Sequence, residues 1–131
     1  MAAKRYTYAL GKRKTAVAQV HLYEWAGEST INGIKFGEYI KRPDLFNVLL
    51  SPLKLISAQD KYYFDVKVNW SWESAQVQAI KLGISRALSS LSLASKKAMK
   101  ASWFLTRDAR KVERKKPGLH KARKATQWSK R

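Results

Sequence analysis

The chain has 131 residues, 45% of them hydrophobic, no cysteine, and a formal net charge of +18. That length suits one domain with a modest core, and the missing cysteines exclude disulfides and every thiolate metal site. No apolar run near the start resembles a secretory signal and none elsewhere approaches a membrane span, so the expected address is the cytoplasm.

The charge is unevenly placed. Residues 1–14 carry a net +5, residues 15–95 a net +1, and residues 96–131 a net +12. A nearly neutral body with two cationic ends repels itself, and a polyanionic partner relieves that repulsion.

In chain order, the first predicted element is strand-like, from Tyr6 to Tyr23. Ala16, Ala18, Val20 and Leu22 alternate with Val17, Gln19, His21 and Tyr23, the period of a sheet with one covered face. Within it lies GKRKT, a basic hairpin tip that would present Lys12, Arg13 and Lys14 to phosphates. It is not a phosphate-binding P-loop, because Tyr6 stands where the first glycine belongs and Arg13 follows the lysine.

Residues 25–28 read as a turn, and Ser29 to Ile31 as a short strand ended by the tight-turn pair Asn32-Gly33. A short helix is predicted over Phe36 to Ile40. A second runs from Asp44, as N-cap, to Ser51, with Pro52 marking its end.

KYYFDVKVNW is predicted as a strand with Phe64, Val66, Val68 and Trp70 on its covered face. The longest helix follows. Val77, Ile80, Ile84, Ala87 or Leu88, and Leu91 form its apolar stripe, and Ser71 and Ser74 are candidate caps. A shorter helix over LASKKAMKASWFL closes a body spanning residues 1–105.

Residues 106–131 read differently. Residues 107–131 hold eleven Lys or Arg and too few large apolar residues to build a stripe. Alone such a segment is predicted to be disordered, and fully extended its last fifteen residues would span roughly 50 Å. Arginine forks pair with phosphate oxygens and lysines add mobile charge. Ala109, Gly118, Ala122 and Ala125 allow close approach to a backbone, and Trp128 offers a ring to stack on a base. The composition points to nucleic-acid binding. It offers no apolar face for a membrane, and the scattered acids and the two histidines, His21 and His120, suggest no catalytic constellation or small-molecule site.

Three stretches carry a family resemblance: GKRKTAVAQV, TINGIKFGEYI and FLTRDARKVERKKPGLHKARKATQWSKR. They resemble the family of the ninth small-subunit ribosomal protein, in its bacterial form. The resemblance implies an α+β fold, with a two-layer α/β body of the ribosomal S-five second-domain-like type, a left-handed βαβ crossover and a long extended basic tail. It implies no enzymatic activity and no cofactor. The implied partners are ribosomal RNA in the head of the small subunit, neighbouring head proteins, and transfer RNA in the peptidyl site.

Carried onto this chain, Lys130 and Arg131 would touch that transfer RNA, with Ser129 close by. Arg107, Arg110, Lys111, Arg114, Lys115, Lys116, Lys121, Arg123 and Lys124 would hold ribosomal RNA. Two departures stand out. Trp128 replaces a usual phenylalanine, keeping a stacking face. VNWSWESAQ replaces a glycine-rich run, so either that loop takes another path or its rings, Trp70 and Trp72, stack on RNA or pack on the body. The runner-up function is a free nucleic-acid-binding protein such as a chaperone or architectural factor.

Overall fold

The computed structural model describes residues 5–129. Strand β1 (Tyr6–Arg13) and strand β2 (Ala16–Glu24) form an antiparallel hairpin closed by Lys14-Thr15. Strand β3 (Thr30–Ile31) turns at Asn32-Gly33 into β4 (Ile34–Lys35), and both turn residues take positive φ, as a tight hairpin demands. Helix α1 (Phe36–Tyr39) and helix α2 (Pro43–Leu55) lead to strand β5 (Tyr62–Val68). Helices α3 (Glu73–Leu91) and α4 (Leu93–Ala101) follow.

The five strands order as β1-β2-β5-β3-β4. β5 is antiparallel to β2 and parallel to β3, so the connection from β3 through α1 and α2 to β5 is a βαβ unit in a mixed sheet. Two asparagine side chains extend the pairing beyond the strands. The Asn32 amide exchanges hydrogen bonds with the Val68 backbone at 2.9 and 3.0 Å. Asn69 accepts from the Val17 N–H at 2.6 Å and donates to the Thr15 carbonyl at 2.9 Å.

Alternation in β2 and β5 works as the sequence predicts. Ala16, Ala18, Val20, Leu22, Phe64, Val66 and Val68 are buried, and the residues between them are not. Each large side chain among them contributes about 1.5–3 kcal/mol by leaving water. They meet the stripe of α3, where Val77, Ile80, Ile84, Ala87 and Leu88 are buried. Leu91, at the end of that stripe, is 39% exposed.

Small residues set how closely the layers approach. A Cβ at Gly11 would stand 1.8 Å from the Ala79 carbonyl oxygen, so β1 lies directly against the α3 backbone. Arg86 of α3 donates to the Leu10 carbonyl at 2.8 Å, pairing a group on the edge strand.

Several boundaries differ from expectation. Helix α2 starts at Pro43, in a first-turn position where a missing N–H costs nothing, and Asp44 is no N-cap: it pairs with Arg42 at 2.8 Å. Pro52 lies inside α2 rather than at its end. The carbonyl of Val48, deprived of its usual donor, accepts instead from the Ser51 hydroxyl at 2.6 Å, while Pro52 and Leu53 are buried in the core. Strand β5 stops at Val68, and Trp70 is exposed rather than on the covered face. Ser71 does not cap α3, because its hydroxyl shares a 3.0 Å hydrogen bond with Thr15. Helix α4 does carry a side-chain cap, Ser92 accepting from the Ser95 N–H.

Candidate nucleic-acid interface

The cationic residues gather where the β1–β2 hairpin meets the start of the C-terminal segment. Lys12 and Lys14 are exposed at the tip. Arg13 is not, which corrects the expectation that all three residues point outward. Strand alternation turns Arg13 inward, and its side chain is 11% exposed. Its guanidinium meets Asp108 Oδ1 at 2.6 Å and donates to the carbonyls of Asp108 and Arg110 at 3.2 and 3.4 Å.

Asp108 is the hub of this contact. It accepts from the Arg110 side chain through Nε at 3.1 Å and Nη2 at 2.8 Å, and from the Arg110 backbone N–H at 3.0 Å. The Arg110 fork, then its N–H, then Arg13 hold the Asp108 carboxyl well below the usual carboxylate range. The same pairing raises the Arg110 pKa. Arg13 of β1 and Arg110 beyond α4 thus share one carboxylate.

Beyond Arg110 no helix or paired strand forms among the described residues, apart from one bridge between Leu119 and Ala125. Gly118 takes φ +83°, the His120 N–H donates to the Lys124 carbonyl at 2.9 Å, and Glu113 pairs with Lys116 at 2.6 Å and Arg123 at 2.9 Å. Residues 113–125 therefore close into a loop rather than running straight, so the span reckoned for a fully extended segment is an upper limit. Gly118 and the His120–Lys124 backbone bond turn the chain, and the two exposed ion pairs of Glu113 add little each.

Other cations stay available. Lys12, Lys14, Arg107, Lys111, Arg114, Lys115, Lys121 and Lys124 are exposed and make no ion pair among the described residues. Trp128 is 94% exposed, and Ser129 is exposed beside it. Lys130 and Arg131 lie outside the described residues. Trp70 and Trp72 are 93% and 80% exposed, which removes packing on the body as their role. Hydrogen bonds from Asn69 and Ser71 to Thr15 stitch their loop to the basic tip.

Lys81 was not legible as a site residue. On α3 it reads as an ordinary helical lysine, yet it is half-buried, its ammonium sits 4.4 Å from the centre of the Phe104 ring, and burial lowers its pKa. Only the packing of Phe104 onto the body brings these two together. Among the described residues no cluster of His, Cys, Asp and Glu could hold a metal ion, and no helix is long and apolar enough to cross a membrane.

The profile of the family described as "Ribosomal protein S9/S16" matches residues 11–131. The chain is 46% identical over 125 residues to the "Small ribosomal subunit protein uS9" of Bifidobacterium animalis subsp. lactis (strain AD011), covering 95% of this chain and 77% of that protein. With that match, the reading of a free nucleic-acid-binding factor gives way. The chain belongs to the ribosomal protein S9/S16 family and is a structural, non-enzymatic protein of the small ribosomal subunit that binds ribosomal RNA and sits among other ribosomal proteins.

Proposed function

We propose that the chain anchors in the head of the small subunit and uses its C-terminal end to steady transfer RNA in the peptidyl site. In this reading residues 1–105 are the body, of the S-five second-domain-like type with a left-handed crossover, and residues 106–131 are the RNA-binding tail. Lys12 and Lys14 at the hairpin tip contact ribosomal RNA phosphates. Arg107, Lys111, Arg114, Lys115, Lys121 and Lys124 do so along the tail, joined by Arg110, Lys116 and Arg123 where their forks and ammonium groups keep free donors. Trp128 stacks on a base or sugar, and Ser129, Lys130 and Arg131 reach the transfer RNA backbone.

The observation that carries this reading is the pinned root of the tail. Arg13 and Asp108 fix where the segment leaves the body, so the exposed cations beyond it depart from a defined point. A tail fixed at its root costs less to order on RNA than one free from Leu105 onward.

Deleting residues 129–131 tests the function. Subunit assembly should be unchanged, while transfer RNA leaves the peptidyl site faster. The difference should shrink as salt rises, since each neutralised phosphate releases about 0.7–0.9 counterion. Equal release rates at low salt would refute the transfer RNA contact.

A further inference from the structure

A cavity of about 190 Å³ opens at the root of the tail, between the hairpin tip, α2, α3 and the turn after α4. Lys12 and Lys81 both line it, as do Gln78 and Thr106, two neutral hydrogen-bonding groups. The Trp103 indole forms part of the lining and is still 77% exposed, on a backbone held at φ +64°. Asp108 also lines the space, but its carboxylate is already engaged by Arg13 and Arg110. The charge left for a ligand is positive.

We propose that this cavity is a nucleotide-binding site for ribosomal RNA, in which Lys12 and Lys81 hold a backbone phosphate and Trp103 stacks on the adjoining base. The site rests on the RNA-binding reading above and adds residues to it. Three features select RNA over a protein partner. Both lysines lack an acidic partner among the described residues, so an anion is what completes them. Lys81 has already given up part of its hydration to Phe104 and the helix, so a phosphate brought alongside restores what burial removed. An exposed indole beside two cations suits a base next to its phosphate.

The test uses the full chain added to small subunits assembled without it. Lys81→Ala should weaken binding and lower the slope of log affinity against log salt by about 0.7–0.9, the value of one lost phosphate contact, and Lys81→Arg should restore both. Trp103→Ala should weaken binding at least about fivefold with the slope unchanged, and Trp103→Phe should recover most of it. In the unsubstituted protein, ultraviolet irradiation of assembled subunits should crosslink Trp103 to RNA, a readout that needs no variant to fold. A crosslink to a neighbouring protein, or an unchanged slope in Lys81→Ala, overturns the site. A triple Ala variant at Lys111, Lys115 and Lys121 separates the causes: if only that variant loses slope, the cavity site alone falls, and if neither does, the tail contacts fall with it.

Discussion

The Arg13 guanidinium meets the Asp108 carboxylate at 2.6 Å across 95 residues of chain, and it ties the segment after α4 to the β1–β2 hairpin. Because the partner is a carboxylate, the tie depends on pH. A carboxyl whose folded pKa is depressed contributes stability that is fully present above its unfolded pKa, ordinarily 3.8, and is lost as pH falls through the folded value. Protection of the Arg110 amide, whose N–H donates to Asp108, relative to its intrinsic exchange rate should therefore hold down to about pH 4 and fall only below it. In Asp108→Asn the same amide should exchange fast already at neutral pH. Slow exchange in the variant would show that the carboxylate does not hold the root.

The hairpin tip separates two roles that look alike in sequence. Replacing Lys12 and Lys14 with Ala should leave the melting temperature of the free protein unchanged, since exposed cations contribute little, and weaken incorporation into subunits. Arg13→Ala should do something different. It frees residues 106–110 for proteolysis while the body stays folded. Limited proteolysis alongside a binding assay distinguishes the two.

Gly11 and Gly83 face one another across the layers but respond differently. At Gly11 an added Cβ meets the Ala79 carbonyl oxygen at 1.8 Å, and helix backbone cannot yield. Gly11→Ala should cost at least about 3 kcal/mol in urea unfolding, the upper range of overpacking. At Gly83 the nearest atom is Val20 Cγ2, at 2.5 Å, the end of a side chain. There a helix-propensity gain of about 1 kcal/mol offsets part of the strain, leaving a net loss of about 0–2 kcal/mol.

Asn69 joins the strand end to the hairpin tip through two side-chain hydrogen bonds. Asn69→Ala should destabilise by about 1–2 kcal/mol and expose the Val17 amide to rapid exchange. Asn69→Asp keeps the acceptor for Val17 but loses the donor to Thr15, so protection at Val17 should survive. Equal exchange in both variants would contradict that division.

Strands and helices were legible wherever a period was long enough to read. β2, β5 and α3 alternate or recur over seven residues or more, and their buried faces match the sequence pattern. Boundaries were less so. Pro52 reads as a helix stop because it lacks an N–H, but a neighbouring serine supplies the missing donor and burial of the ring favours keeping the turn. Trp70 continues the alternation of β5 on paper, yet pairing ends once the Asn69 side chain takes over the last backbone groups of β2.

Composition and charge spacing alone determined that this protein has a nearly neutral middle with cationic ends, which points to a polyanionic partner, because net charge and its placement need no coordinates. Only the tertiary structure decided which cations remain available. Arg13, Lys12 and Lys14 are neighbours of one charge type, but strand pleating sends one of them inward to Asp108 and leaves the others facing solvent. Lys81 and Trp103, twenty-two residues apart, line one cavity only because the turn after α4 folds back against α3. Long-range packing assigns each charge its partner, and a linear pattern carries no record of that.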